Sequence, residues 1–152
     1  MNVREFLQSK SVPFEVLPHR STCTAQHLAH ALDVPGDNVA KTVLVHVDDE
    51  FVLAVLPATH QISLSMLEDC LHSSSVKLAT EEDLTRVFPD CERGVAPPFG
   101  AQYGLVTIVD RSMTDDEHIV FEGNSHNEAI YLRYYDYANI EHPRVESFTT
   151  HV

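Results

Sequence analysis

Three segments of this chain carry residue types suited to chemistry on a polar ligand: Lys41 near the start of an apolar, β-branched run, Gly94-Val95-Ala96-Pro97-Pro98-Phe99-Gly100, and Gly123-Asn124-Ser125-His126. In the second, two glycines bracket a Pro-Pro pair. Glycine allows close backbone approach and positive φ, while each proline fixes its own φ and biases its predecessor toward an extended conformation. The expected result is a stiff loop with exposed amides, built either to meet a ligand oxygen or simply to turn the chain. The strand period of two puts Lys41 on one face with Val43, Val45 and Val47. Its ammonium either snorkels at the sheet rim or projects over a pocket mouth to hold an anionic or carbonyl group. Gly123 to His126 follows a predicted strand ending at Phe121. It is either a tight Gly-Asn turn with a solvated histidine or a strand-end loop in which His126 orients a water or a hydroxyl.

Other reactive side chains give weaker signals. Cys23, Cys70 and Cys91 are odd in number and form no CxxC pair, so neither a disulfide framework nor a zinc knuckle is expected. Cys91, three residues before Gly94, is a candidate nucleophile with no activating base beside it in sequence. Among the ten histidines, His27 and His30 stand at helical spacing without a third ligand, so neither a metal nor any other cofactor is expected. No GxSxG elbow, HExxH, P-loop or dinucleotide fingerprint is present, which removes the common hydrolase, ATPase and oxidoreductase readings.

Composition bounds the partners. With 152 residues, 43% hydrophobic and 22% charged, residues 1–152 are expected to form a single domain with its own core. Ten Lys and Arg against 23 Asp and Glu leave a net charge of −13, which argues against DNA or any broad grip on a phosphate backbone. A nucleic acid would be touched only locally, or with help from a partner protein. The start Met1-Asn2-Val3-Arg4-Glu5-Phe6 lacks a basic, apolar leader, and no run of apolar residues is long enough to span a bilayer. A cytoplasmic location without membrane contact is the expectation.

The elements that must position these residues follow from periodicity and punctuation. Val3, Phe6 and Leu7 share a helical face over residues 2–10, Pro13 stops that helix, and residues 14–17 suggest a strand. Thr24 can cap a second helix carrying Ala25, Leu28, Ala29 and Leu32, and Pro35-Gly36-Asp37-Asn38 turns the chain. Residues 39–47 and 51–56 predict a hairpin through Asp48-Asp49-Glu50. Residues 63–71 predict a third helix, with Ser65 and Glu68 at capping-box spacing as one start, and Thr80 caps a short acidic helix through Val87. Strands are expected at 76–79, 105–109, 118–121 and 129–132, with an irregular tail after Pro143. Helices and strands mix without strict alternation, so the expected class is α/β of the α+β type: a mixed, partly antiparallel sheet or small barrel with helices packed outside.

In order and separation these features resemble the YbaK/ProX group of aminoacyl-tRNA editing domains, similar also to the editing insertion of bacterial prolyl-tRNA synthetases. The resemblance runs from Ser21-Thr22-Cys23-Thr24-Ala25 through Val34-Pro35-Gly36-Asp37-Asn38-Val39-Ala40-Lys41-Thr42 and the Gly94 to Gly100 loop. It closes on Phe121-Glu122-Gly123-Asn124-Ser125-His126. It implies a fold like that of the synthetase-associated domain. It also implies a trans-acting deacylase that cleaves the ester between a wrong small amino acid, such as alanine, cysteine, serine or threonine, and the terminal ribose of a tRNA. Catalysis would be assisted by the substrate's free ribose hydroxyl. Under this resemblance Lys41, Gly100 and His126 are catalytic. The acylated end would be held by Thr22, Gly94, Pro97, Pro98, Phe99, Gly123, Asn124 and Ser125. The implied partners are the acceptor end of aminoacyl-tRNA and an aminoacyl-tRNA synthetase. Preorganised loop amides suit a developing oxyanion, a lysine suits a terminal phosphate or ribose oxygen, and His126 suits a water or ribose hydroxyl. From another class, a non-catalytic module that binds such a ligand or tRNA end and regulates a partner uses the same pocket.

Overall fold

A computed structural model of the chain describes residues 2–21 and 24–151. Helix α1 (Val3–Ser9) starts at Asn2, whose side chain accepts from the Glu5 amide at 2.8 Å, and it buries Val3 and Leu7 on one face. Strand β1 (Glu15–Pro18) follows Pro13. Thr24 caps α2 (Ala25–Leu32) by accepting from the His27 amide at 3.0 Å, and Leu28 and Ala29 face inward. A short 3-10 turn over Gly36–Asn38 leads into the hairpin of β2 (Ala40–Val47) and β3 (Glu50–Pro57), paired in register from Ala40–Pro57 to Val47–Glu50.

The remaining elements are β4 (His60–Ile62), α3 (Leu64–Leu71), β5 (Val76–Leu78), α4 (Glu81–Val87), β6 (Val106–Asp110), β7 (His118–Glu122), β8 (Glu128–Arg133), α5 (Tyr134–Glu141), β9 (Arg144–Glu146) and β10 (Thr149–His151). Their strands make a five-stranded sheet in the order β5-β2-β3-β6-β9, antiparallel at β5-β2-β3 and parallel at β3-β6-β9. An antiparallel sheet β1-β8-β7 and the pair β10-β4 complete them, and a parallel bridge between Val39 and Val120 joins the start of β2 to β7.

Strand alternation gives the five-stranded sheet two buried faces. Val45, Ala54, Leu56 and Ile108 pack with Leu67 of α3 and with Phe148. On the opposite face Val55 and Val109 join Phe99, Phe121, Val3 and Leu7 beneath α1 and α5, and Leu44 and Leu53 meet Phe88 and Ala96 beside α4. A sheet covered on both sides accounts for the nearly unbroken apolar run from Phe51 to Leu56. The expected mixed α+β class with external helices is the observed one; of the two forms it allowed, the strands take open mixed sheets rather than a closed barrel.

Two local expectations are corrected, and two elements are new. Helix α3 is capped by Ser63, which accepts from the Met66 amide at 3.3 Å, and not by Ser65, whose hydroxyl instead meets that of Ser63. The tail after Pro143 is not irregular: β9 extends the central sheet beside β6, and β10 pairs with β4. Strand β4 and helix α5 had no counterpart in the sequence reading.

Candidate functional site

A cleft of about 150 Å³ opens where the N-terminal end of α2, the start of β2, the Gly/Pro loop and the end of β7 meet. Ala25, Leu28, Ala40 and Phe121 give it an apolar side, and Lys41, Thr42, Gly94, Ala96, Glu122 and His126 give it a polar one. The fold reason is direct. The Val39–Val120 bridge holds β2 beside β7, so the first residues of β2 and the last of β7 reach the same edge. The Thr42 hydroxyl donates to the Ala96 carbonyl, tying the Gly/Pro loop to β2.

Lys41 is half-buried on this wall, and among the described residues its ammonium has no hydrogen-bond or ion-pair partner. Burial lowers its pKa, the direction expected of an ammonium removed from water without a compensating carboxylate. Val43, Val45 and Val47 do lie on one buried sheet face, as the strand period requires.

Gly94 carries the expected positive φ of 85°, and a Cβ there would lie 3.6 Å from Nε2 of His126. Its amide and that of Ala96 have no partner among the described residues, whereas the amides of Val95, Phe99 and Gly100 are taken. The second half of the loop turns into the core. Phe99 is fully buried and meets Phe6, Phe121 and Tyr137 edge-on, Pro98 accepts from the Tyr137 hydroxyl at 2.7 Å, and Pro97 accepts from the Phe99 amide at 2.8 Å. Gly100 donates its amide to Oγ1 of Thr107 at 3.1 Å, and Thr107 in turn donates to Glu141 at 2.5 Å.

His126 lies in the loop joining β7 and β8, and both its ring nitrogens are engaged. Nε2 is 2.8 Å from the Arg93 carbonyl, which can only accept, so Nε2 carries a proton. Nδ1 is 2.9 Å from a Glu122 carboxylate oxygen, and the His126 amide donates to Glu92 at 3.1 Å. Burial alone would lower the imidazole's pKa, but the Arg93 carbonyl and the Glu122 carboxylate outweigh it and the net direction is up. Burial also raises Glu122, against the pull of His126. The two groups therefore hold a shared proton more tightly than either would in water.

The rest of that loop is structural. Gly123 donates to the Glu128 carbonyl at 2.9 Å across the hairpin, Asn124 accepts from the Val3 amide at 2.8 Å, and the Ser125 hydroxyl accepts from the Asn127 amide at 3.3 Å. Lys41, Gly94 and His126 thus come together at the cleft, while Pro97, Pro98, Phe99, Gly100, Gly123, Asn124 and Ser125 do not line it. Thr22 lies outside the described residues. Glu122 and Thr42 line the cleft without having been singled out in sequence, and Ala96 lines it from within the Gly94 to Gly100 loop; a carboxylate four residues before His126 across a hairpin loop is the signal for the first.

Cys91 lies off the cleft. Burial first, with the Asp90 carboxylate adding to it, pushes its thiol up to about 11, so it is not a thiolate nucleophile near neutral pH. His27 and His30 are exposed on α2.

The sequence model of the aminoacyl-tRNA editing domain matches residues 19–140. The proline–tRNA ligase of Halalkalibacterium halodurans is 30% identical over 105 residues, which is 69% of this chain and 18% of the ligase. That of Staphylococcus saprophyticus is 25% identical over 101 residues, 66% of this chain and 18% of the ligase. The chain thus spans less than a fifth of the length of these relatives. The crystal structure of a hypothetical protein superposes with a TM-score of 0.88 at 17% identity, covering 97% of this chain and 99% of the other. That of a proposed trans-editing enzyme for prolyl tRNA synthetase gives 0.83 at 15% identity, covering 97% and 94%. At such identities the two structures speak to the fold alone.

Proposed function

The chain belongs to the aminoacyl-tRNA editing domain family, and from that premise we propose that it is a trans-acting deacylase that hydrolyses the ester of mischarged tRNA. Residues 1–152 act in this reading as one editing domain, working in the cytoplasm where tRNA is charged, beside a synthetase. In keeping with that setting, no helix among the described residues is long and apolar enough to cross a membrane.

The observation that carries the proposal is a partly desolvated Lys41 lining the same cleft as Gly94 and Ala96, the ammonium and the two amides having no partner among the described residues. Water adds to the ester carbonyl carbon, and the charge that develops on the carbonyl oxygen is met by those two amides, held by the Thr42 hydroxyl and by Gly94's turn. The ribose oxygen leaves with the electron pair of the broken C–O bond. It takes up the proton lost by the water through the neighbouring ribose hydroxyl, and the products are a free amino acid and an uncharged tRNA. Lys41 supplies a point charge to the terminal phosphate or ribose oxygen. Since both nitrogens of His126 are engaged, it serves as a positioning residue that fixes the loop rather than as the base. Gly100, with its amide committed to Thr107, supports the loop from behind.

Cleft size supports a small side chain. Ala25, Leu28, Ala40 and Phe121 line a volume of about 150 Å³ that must also take part of the ribose. The acidic chain needs few phosphate contacts if it grips only the acceptor end.

Among the described residues, the carboxylate and imidazole of the cleft, Glu122 and His126, are bound to each other rather than open to a water, which favours a second reading as a ligand- or tRNA-end-binding regulatory module. Incubation with alanyl-, cysteinyl-, seryl- and threonyl-tRNA decides between the two. Ester loss on at least one substrate, above the uncatalysed rate, is expected of the deacylase; retained binding with no turnover on any contradicts it.

A further inference from the structure

Away from the cleft lining, Asp37, His60 and His151 converge so that one ligand atom from each lies within 4.8 Å of the others. They come from three separate elements: the 3-10 turn before β2, the first residue of β4 and the last of β10. His60 and His151 are direct partners across the antiparallel β4-β10 pair, with ring centroids 5.1 Å apart.

The surroundings orient two of the three groups. A Cβ on Gly36 would sit 2.8 Å from the Thr59 methyl, so glycine is what lets the turn close on the residue preceding β4. That approach lets the Thr59 hydroxyl donate to Oδ1 of Asp37, which leaves Oδ2 free to point elsewhere. Nδ1 of His60 lies 2.8 Å from Oγ1 of Thr149. When Nδ1–H donates to that hydroxyl, Nε2 carries the lone pair, the arrangement in which an outer hydrogen bond fixes the tautomer of a metal-bound histidine.

We propose that Asp37, His60 and His151 form a binding site for a divalent transition-metal ion of the zinc class. Two imidazoles and one carboxylate suit zinc or its first-row neighbours rather than magnesium or calcium, and they leave a fourth position for water. Bonds of about 2.0–2.1 Å place tetrahedral ligand atoms roughly 3.4 Å apart. Asp37 and His151 are exposed, so rotation of their side chains suffices to close the trio. The ion would pin β10 and the turn before β2 onto β4, a structural clasp independent of the editing reaction.

Zinc titration of the chelator-treated full chain, followed by calorimetry and thermal melting, tests this. One saturable site and a melting temperature that rises with zinc, but not with magnesium, are expected. His151→Ala and Asp37→Asn each lie at exposed positions and should weaken binding at least tenfold, while the His27→Ala/His30→Ala double variant should bind as the parent does. Cobalt substituted for zinc should give the visible absorption of a tetrahedral site, lost in His151→Ala. Absence of saturable zinc binding, or unchanged affinity in both His151→Ala and Asp37→Asn, overturns the proposal.

Discussion

His126 donates Nε2–H to the carbonyl of Arg93, the residue just before Gly94, at 2.8 Å. This bond clamps the β7–β8 loop to the mouth of the Gly/Pro loop, and a Cβ on Gly94 would stand in ordinary contact with the imidazole, 3.6 Å from Nε2. Replacement of His126 by Ala should therefore loosen both loops together. The expected cost is about 1–3 kcal/mol of stability, from the Arg93 bond and from the unpaired Glu122 carboxylate. Deacylation should fall mainly through kcat, and His126→Gln, which keeps an N–H donor, should recover part of it. A stopped-flow or gel-based deacylation assay run beside thermal denaturation checks both.

The shared proton of His126 and Glu122 makes the clamp sensitive to pH. Both groups are raised in the folded state, so each contributes stability that is complete below its unfolded pKa and lost as pH rises through its folded one. For Glu122 the decline starts near its ordinary value of about 4.3; for His126 it starts near about 6.5 and runs upward. Denaturant melts at a series of pH values should show the parent losing stability relative to Glu122→Gln between these points and above them. A parent that gains stability over Glu122→Gln as pH rises contradicts the arrangement.

Gly94 and Gly100 should respond differently to alanine. Gly94→Ala meets a φ of 85°, a left-handed backbone that L side chains rarely adopt, while its Cβ would stand in ordinary contact with the His126 ring, so about 1 kcal/mol of stability and a marked share of activity should go. Gly100→Ala drives a Cβ to 2.5 Å from Oγ1 of Thr107, disrupting the bond to the Gly100 amide and the Thr107–Glu141 contact behind it. Its expected effect is a stability loss of roughly 2–4 kcal/mol, with the kcat of the remaining folded protein near that of the parent. Activity normalised to folded fraction separates the two.

Cys91 should be dispensable. Its half-buried thiol, raised to about 11, lies off the cleft, so Cys91→Ser should keep deacylation within about twofold and the parent should resist inactivation by thiol alkylation. Loss of activity on alkylation that Cys91→Ser prevents contradicts this.

Much of the scaffold was legible because local signals and tertiary packing agree. The β2–β3 hairpin is β-branched on both sides of Asp48-Asp49-Glu50, and Thr24 and Thr80 cap their helices as their positions suggest. Helix α5 escaped because Tyr134-Tyr135-Asp136-Tyr137 favours strand by propensity, follows β8 without a loop, and begins at Arg133 with no side-chain cap. The i, i+3, i+4 spacing of Tyr134, Tyr137 and Ala138 was the available clue. Strands β9 and β10 are three residues each and exist through partners distant in sequence, β6 and β4.

At the site, Lys41, Gly94 and His126 were legible as polar or conformationally special residues at element ends. Phe99 was not: its place in a Gly/Pro loop suggests a ligand contact, yet Phe6, Phe121 and Tyr137 draw it into the core. Nor could spacing reveal that Gly100 spends its amide on Thr107. That contact depends on how the 3-10 turn after Phe99 folds back onto β6.

The central claim is that the Lys41 ammonium, with no partner among the described residues, serves the substrate rather than the fold. Single-turnover deacylation of a mischarged tRNA that the parent protein hydrolyses, compared between parent and Lys41→Ala at subsaturating substrate, tests it most directly. A fall of about 10- to 100-fold in kcat/KM, equivalent to roughly 1.4–2.7 kcal/mol, is expected, with a melting temperature unchanged within error. An unchanged rate, or a lost rate explained by unfolding, contradicts the claim.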